Sequence, residues 1–156
     1  SVSMNVGVTS RLALSLFLAS RAQHILEVIG PALEEGKIVL CDRFNDSSVA
    51  YQGAARGLGM AKVGEFCEFI SQGLKPNLTI YLDLDPELGL NRVAKARKQD
   101  RIEAETVMFH EKIREAYISI HRADQHRFRL IDATMAPARV FQETMKFIHP
   151  IILDHV

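Results

Sequence analysis

The 156-residue sequence has no excess charge of either sign, with 19 Lys plus Arg against 19 Asp plus Glu. That balance excludes a global field drawing the protein to nucleic acid or to an anionic membrane. Any anion-binding function must come from a local cluster of cations. Cysteine is scarce: Cys41 and Cys67 are the two, and they form no metal or redox spacing, as expected in a reducing, cytoplasmic setting. No apolar run approaches the ~18–20 residues of a membrane-spanning helix. No repeat, linker or low-complexity segment breaks the chain. What is present is ordinary for one globular domain: 47% hydrophobic and 24% charged residues, enough to bury a core. Residues 1–15 read as an uninformative leader, 16–148 as the domain and 149–156 as a C-terminal tail.

Apolar residues Leu18, Ala22, Ile25 and Ile29 recur at helical spacing, predicting a helix from about Ser10 to Glu35 that Gly36 stops. Lys37–Phe44 is a short apolar run ending in charge, the pattern of a buried parallel strand. Leu78–Leu84 and Phe128–Ile131 read as two more strands. Helices are expected over Met60–Gln72, Glu87–Lys98, Glu103–Arg122 and Ala136–Ile148, the last stopped by Pro150. Alternating strands and helices predict an α/β layered domain with a mostly parallel sheet. In such sheets ligands bind beyond the carboxyl ends of the strands. The three strand ends are polar here: Asp42-Arg43, Asp83-Leu84-Asp85 and Asp132-Ala133-Thr134.

The densest chemical signal is the run from Asp42 to Gly53, Asp-Arg-Phe-Asn-Asp-Ser-Ser-Val-Ala-Tyr-Gln-Gly. An Asp-Arg pair at a strand end is more often an ion pair or a solvated edge. A carboxylate there can also serve Mg²⁺, which takes oxygen ligands, and an arginine beside it can clamp phosphoryl oxygens. Ser47, Ser48, Tyr51 and Gln52 supply hydroxyls and an amide suited to a sugar and a base. Phe17 and Arg21 lie one helical turn apart, so both project from one face.

Asp42-Arg43-Phe44 followed by Ser47-Ser48-x-Ala50-Tyr51-Gln52-Gly53 resembles the Asp-Arg signature of thymidylate kinases. Phe17-x-Ala19-x-Arg21-x-x-His24 is similar to that family's Phe/Tyr-x-Ala-x-Arg-x-x-His helix. Pro76-Asn77-Leu78-Thr79-Ile80-Tyr81-Leu82-Asp83 resembles its Pro-Asp-Leu-Thr-x-Tyr-Leu-Asp strand. Gly89-Leu90-Asn91-Arg92 and Asp100-Arg101-Ile102-Glu103 resemble the flanks of its lid. The resemblance implies a P-loop nucleotide kinase-like three-layer fold and transfer of the ATP γ-phosphoryl group to dTMP, giving dTDP for dTTP synthesis. It implies that Phe17 stacks on thymine and Arg21 holds the dTMP phosphate. Arg43 would bridge the two phosphate sites and Asp42 would serve Mg²⁺ or its waters. Tyr51 would sit by the deoxyribose, with Ser47, Ser48 and Gln52 sharing the polar contacts. His24 reads as structural. A homodimer built on apolar helices, including that of Phe66 and Ile70, is also implied.

Arg92, Lys95, Arg97, Lys98 and Arg101 fall within ten positions. A bare charge run is usually a solvated helix face, but phosphoryl transfer depends on positioning and on cations at the transferring oxygens. By the resemblance Arg97 and Arg101 contact phosphate, Arg92 lies against adenine, and Ala133 helps close the adenine pocket. The sequence holds no Gly-x-x-x-x-Gly-Lys-Ser/Thr run, the loop that binds β- and γ-phosphates in such kinases. Nor does it hold a Thr-Arg-Glu-Pro-Gly-like turn. The expectation is therefore the acceptor side of a thymidylate kinase, lacking the first strand, the phosphate loop and the second strand, with impaired folding and activity. Two alternatives are another nucleoside or nucleotide kinase of the same fold, and a non-catalytic dTMP-binding remnant.

Overall fold

A computed structural model describes residues 9–96 and 106–153. The chain divides into two compact units, 1–75 and 76–156, and each is built on its own.

The first unit is helical. Thr9 caps α1 (Ser10–His24), its hydroxyl accepting from Leu12 N at 3.3 Å, as N-cap threonines do. The helix continues through a π-helical turn at Ile25–Ile29 into α2 (Gly30–Glu34). Pro31 accounts for the widened turn. It has no N–H to give and would press on the carbonyl four residues back, while Gly30 N–H reaches Ile25 O instead. Gly36, with a φ of 72°, ends the helix as expected. Over residues 10–34 this helix is long and apolar enough by composition to cross a membrane. A core helix passes the same test, and α1 contributes Leu14 and Leu18 to a core with Val63 and Cys67. Burying each such aliphatic side chain contributes about 1.5–3 kcal/mol.

Lys37–Phe44 does not form the expected strand. Residues 37–41 belong to no ladder in the described structure, and Leu40 is 89% exposed. A strand is defined by its partner, and an apolar run carries no information on whether a partner edge is beside it. The chain then forms α3 (Asn45–Ser48), a second π-helical turn (Val49–Ala55) and α4 (Met60–Ile70). Gly53 is required where this turn meets the start of α4, since a Cβ there would lie 3.0 Å from Met60 Cα.

The second unit is α/β. β1 (Thr79–Asp83) and β2 (Phe128–Asp132) pair in parallel, Thr79 opposite Phe128 and Asp83 opposite Asp132. A two-stranded sheet is thus present among the described residues, where three strands were expected. Between the strands lie α5 (Pro86–Ala96) and α6 (Val107–Ala123), and α7 (Pro137–Leu153) follows β2. Asp85 starts α5, its Oδ1 accepting from Glu87 N at 3.0 Å and Leu88 N at 3.3 Å, with Pro86 at the first helical position. Tyr117 of α6 stacks on Tyr81 with ring centroids 4.4 Å apart, and Phe128 beneath them is fully buried. Pro150 does not stop α7, which runs on to Leu153. The proline falls in the last turn, where the loss of one hydrogen bond is least disruptive.

Candidate functional site

In the first unit the predicted acceptor residues gather around two arginines. Arg21 projects from α1, half-buried, and its Nη1 donates to Ser48 Oγ at 2.8 Å. Its guanidinium lies over the Phe44 ring, 5.3 Å from the centroid. Burial lowers its pKa from the usual arginine value, and the neighbouring Cys67 and Cys41 sulfurs act in the opposite direction. No carboxylate pairs with it among the described residues. A partly desolvated cation without a counterion favours an anion, since Coulomb attraction strengthens away from bulk water. Phe17, one turn earlier on the same helix face, is 54% exposed, leaving its ring open to a flat ligand. A charge on a buried apolar stripe was the readable signal for this pair.

Arg43 is the second cation. Its guanidinium lies 5.1 Å from the centroid of the Tyr51 ring, an attraction of about 0.5–1 kcal/mol at an exposed site. Its φ of 68° is a left-handed conformation that costs a residue other than glycine on the order of 1–3 kcal/mol and clusters at functional sites. Asp42 beside it is exposed. Ser48 and Gln52 are buried and Ser47 and Tyr51 partly so, all carried by α3 and the π-helical turn. Such turns are rare and recur at functional sites. The widened turn brings Leu58 N to Gln52 O and Gly59 N to Gly53 O, fixing the end of the motif. Among the described residues no cluster of three or more His, Cys, Asp or Glu would hold a metal by protein ligands alone. Mg²⁺ is commonly bound by one or two carboxylates, waters and substrate phosphates, and an exposed Asp42 fits that mode.

A model of the thymidylate kinase family matches residues 2–144. The chain belongs to the thymidylate kinase family. The match takes in most of residues 1–15, expected to be an uninformative leader, and from Ser10 they belong to α1. The thymidylate kinase of Protochlamydia amoebophila (strain UWE25) is 46% identical over 151 residues, covering 92% of this chain and 67% of that protein. That of Clostridium novyi (strain NT) is 43% identical over 146 residues, covering 92% and 71%. That of Geobacillus thermodenitrificans (strain NG80-2) is 48% identical over 132 residues, covering 83% and 59%. The chain thus spans between 59 and 71% of the length of these three relatives. The reaction of thymidylate kinases is phosphoryl transfer to dTMP in dTTP synthesis, with ATP as donor, and the family implies a P-loop kinase-like α/β fold.

Of the donor-side candidates, Arg97 and Arg101 lie outside the described residues. Arg92 and Ala133 are brought together within the second unit, Arg92 Nη1 donating to Ala133 O at 3.0 Å. The acids at this sheet end are already occupied. Asp83 takes a two-pronged contact from Arg114, at 2.7 Å and 2.9 Å, and Asp85 caps α5. Asp132 Oδ1 accepts from Thr134 N at 2.8 Å and Thr134 Oγ1 at 2.6 Å, which lowers its pKa. Three residues at these contacts went unassigned in the sequence. Phe44 supplies the face under Arg21, Cys67 lies against that arginine, and Arg114 holds Asp83. Phe44 sat inside the motif. Cys67 and Arg114 lie 46 and 31 positions from their partners, beyond any local pattern.

Proposed function

We propose that Phe17, Arg21, Asp42, Arg43, Ser47, Ser48, Tyr51 and Gln52 form the acceptor half of a dTMP kinase. In this reading thymine stacks on Phe17, and the 5′-phosphate lies on Arg21. Arg43 joins the acceptor phosphate to the transferred one. The carrying observation is Arg21: its side chain is fixed by Ser48 and by the Phe44 face, yet no carboxylate among the described residues neutralises it. The positive charge is therefore available to a phosphate, one turn from an open aromatic ring. Tyr51, held under Arg43, would exclude a 2′-hydroxyl, and Ser48 and Gln52 would meet the polar edge of the base. Mg²⁺, bound through Asp42 and its waters, would offset charge on the phosphates. On the donor side Arg92 and Ala133 would form part of an adenine wall, and Arg97 and Arg101 would contact phosphate. Residues 16–148 act as one functional domain in this reading. A cytoplasmic location is part of the proposal, supported by the two free thiols.

Titration calorimetry with dTMP and thymidine tests the acceptor site. The wild-type chain should prefer dTMP, and Arg21→Ala should weaken dTMP about 10- to 100-fold, the range for hydrogen bonds to a charged group, with thymidine little changed. Equal affinities for the two ligands in the wild type would overturn the assignment. Thymidine, dUMP and CMP as phosphoryl acceptors would then separate dTMP selectivity from that of a related kinase.

A homodimer is also proposed, supported by Leu12 and Leu16 of α1 and Phe66 and Phe69 of α4, all exposed large apolar residues. Exposed apolar surface of this kind marks an association site where it is contiguous. Sedimentation velocity should show a dimer at tens of micromolar, and a sharp monomer peak would remove this part of the proposal.

A further inference from the structure

Asn45 has no part in the acceptor site proposed above, yet its side chain fastens the element that carries that site. It is the first residue of α3, whose last residue, Ser48, accepts from Arg21 Nη1 at 2.8 Å. Its neighbour Phe44 lies under the same guanidinium. Residues 37–41 join no ladder, so the chain enters α3 without support from strand pairing. A helix start fixes backbone torsions before it gains hydrogen bonds, and tertiary contact must offset that cost. Asn45 supplies such a contact. Its Nδ2 donates to Ser71 Oγ at 3.0 Å and to the Cys67 carbonyl oxygen at 3.4 Å, both at the carboxyl end of α4.

These partners do not depend on Asn45 for their own satisfaction. The Cys67 carbonyl also accepts from Ser71 N at 2.9 Å. Ser71 is 1% exposed, and its hydroxyl donates to Glu68 O at 3.4 Å. The other end of the Asn45 amide is buried with no hydrogen-bond partner for Oδ1, and an unmet buried acceptor costs folding free energy. Leucine has the same branching at Cγ without that orphan oxygen. What leucine lacks is the Nδ2 link from α3 to α4.

We infer that Asn45 is a positioning residue: by fastening α3 to the end of α4, it sets where Phe44 and Ser48 hold Arg21. This rests on the reading of Arg21 as a dTMP ligand. Calorimetric dTMP affinity and urea midpoints test it for the wild type, Asn45→Leu and Ser71→Ala, each variant also combined with Arg21→Ala. Asn45→Leu should weaken dTMP about 3- to 10-fold, the scale of one hydrogen bond, with a midpoint close to that of the wild type. Ser71→Ala leaves Nδ2 its bond to the Cys67 carbonyl and should weaken dTMP about two- to threefold. It carries the test alone if Asn45→Leu proves unfolded. In the Arg21→Ala background both losses should vanish, as expected of residues that act through that side chain. A merely structural Asn45 would leave the dTMP affinity of the folded protein unchanged, or would weaken it equally with and without Arg21. Either outcome overturns the inference. If instead Arg21→Ala leaves dTMP binding unmoved, the reading of Arg21 itself fails and this inference falls with it.

Discussion

Arg21 and Arg43 of the first unit and Arg114, Arg127 and Arg139 of the second are held by opposite chemistry. In the first unit Arg21 rests on a hydroxyl and an aromatic face, and Arg43 on the Tyr51 ring. In the second unit Arg114 is bound by Asp83, Arg127 by Asp124 and Arg139 by Glu143. Their proton affinities move apart accordingly. Burial lowers the pKa of Arg21, while hydrogen bonding to Asp83 raises that of Arg114. The difference is between an arginine whose charge a carboxylate already matches and one whose charge none matches among the described residues. An arginine already matched to a carboxylate has spent its fork geometry, whereas one held by neutral groups is oriented and still charged.

The largest effect expected from breaking this comparison is on stability. Arg114→Met would leave the part-buried Asp83 carboxylate without its two-pronged partner. Removing one member of such a pair should cost about 1–3 kcal/mol, toward the lower end because the pair is partly exposed. The matching Arg21→Met variant leaves no carboxylate behind, so its cost should be under about 1 kcal/mol, because desolvation of the guanidinium is relieved as its contacts are lost. Urea denaturation midpoints of the two variants check this. Equal losses would show that Arg21 is as structural as Arg114, and the distinction between the units would collapse.

The same contrast explains what could be read from the sequence. The helix from Ser10 was legible because its stripe is local: Leu18 and Ile29 recur at helical steps and are buried as that spacing requires. The strands Thr79–Asp83 and Phe128–Asp132 were legible for the same reason, since their apolar runs end in acids where the ladder ends. Lys37–Phe44 has an equally apolar run and forms no strand, because pairing depends on an edge that no local pattern describes. Pro150 was read as a stop by its own chemistry, but its position in the final turn of α7 made it tolerable. Among the candidate site residues, Phe17, Arg21 and the run from Asp42 to Gly53 stood out through spacing and family resemblance. The acids at Asp83, Asp85 and Asp132 were visible too, but their role was not. Each proves to have a partner, Arg114 or a nearby backbone and hydroxyl, and in the case of Arg114 that partner lies far along the chain. A polar strand end therefore says little of a site until the partner of its acid is known.

A smaller effect would sharpen the comparison from the backbone side. Two residues other than glycine have positive φ among the described residues, Arg43 at 68° and Gln72 at 52°, both in the first unit. Gln72 follows the end of α4, where a left-handed residue closes a helix, so its strain has a structural reason. Arg43 sits between a segment without ladder pairing and α3, where nothing in the local fold demands a left-handed arginine. Glycine relieves this strain but loses more freedom on folding, about 0.5–1 kcal/mol. Gln72→Gly should therefore stabilise the chain by roughly 0.5–1 kcal/mol, read as an upward shift in the urea midpoint, and Arg43→Gly by less, since it also gives up the contact with the Tyr51 ring. They should differ in ligand binding: Arg43→Gly should weaken dTMP several-fold through loss of a charge-assisted contact, and Gln72→Gly should leave it unchanged. A gain in stability coupled to a loss of affinity at position 43 alone would mark that strain as serving the site. If Arg43→Gly gained stability and kept full affinity, Arg43 would be an exposed cation on a strained turn, and Arg21 would carry the phosphate alone.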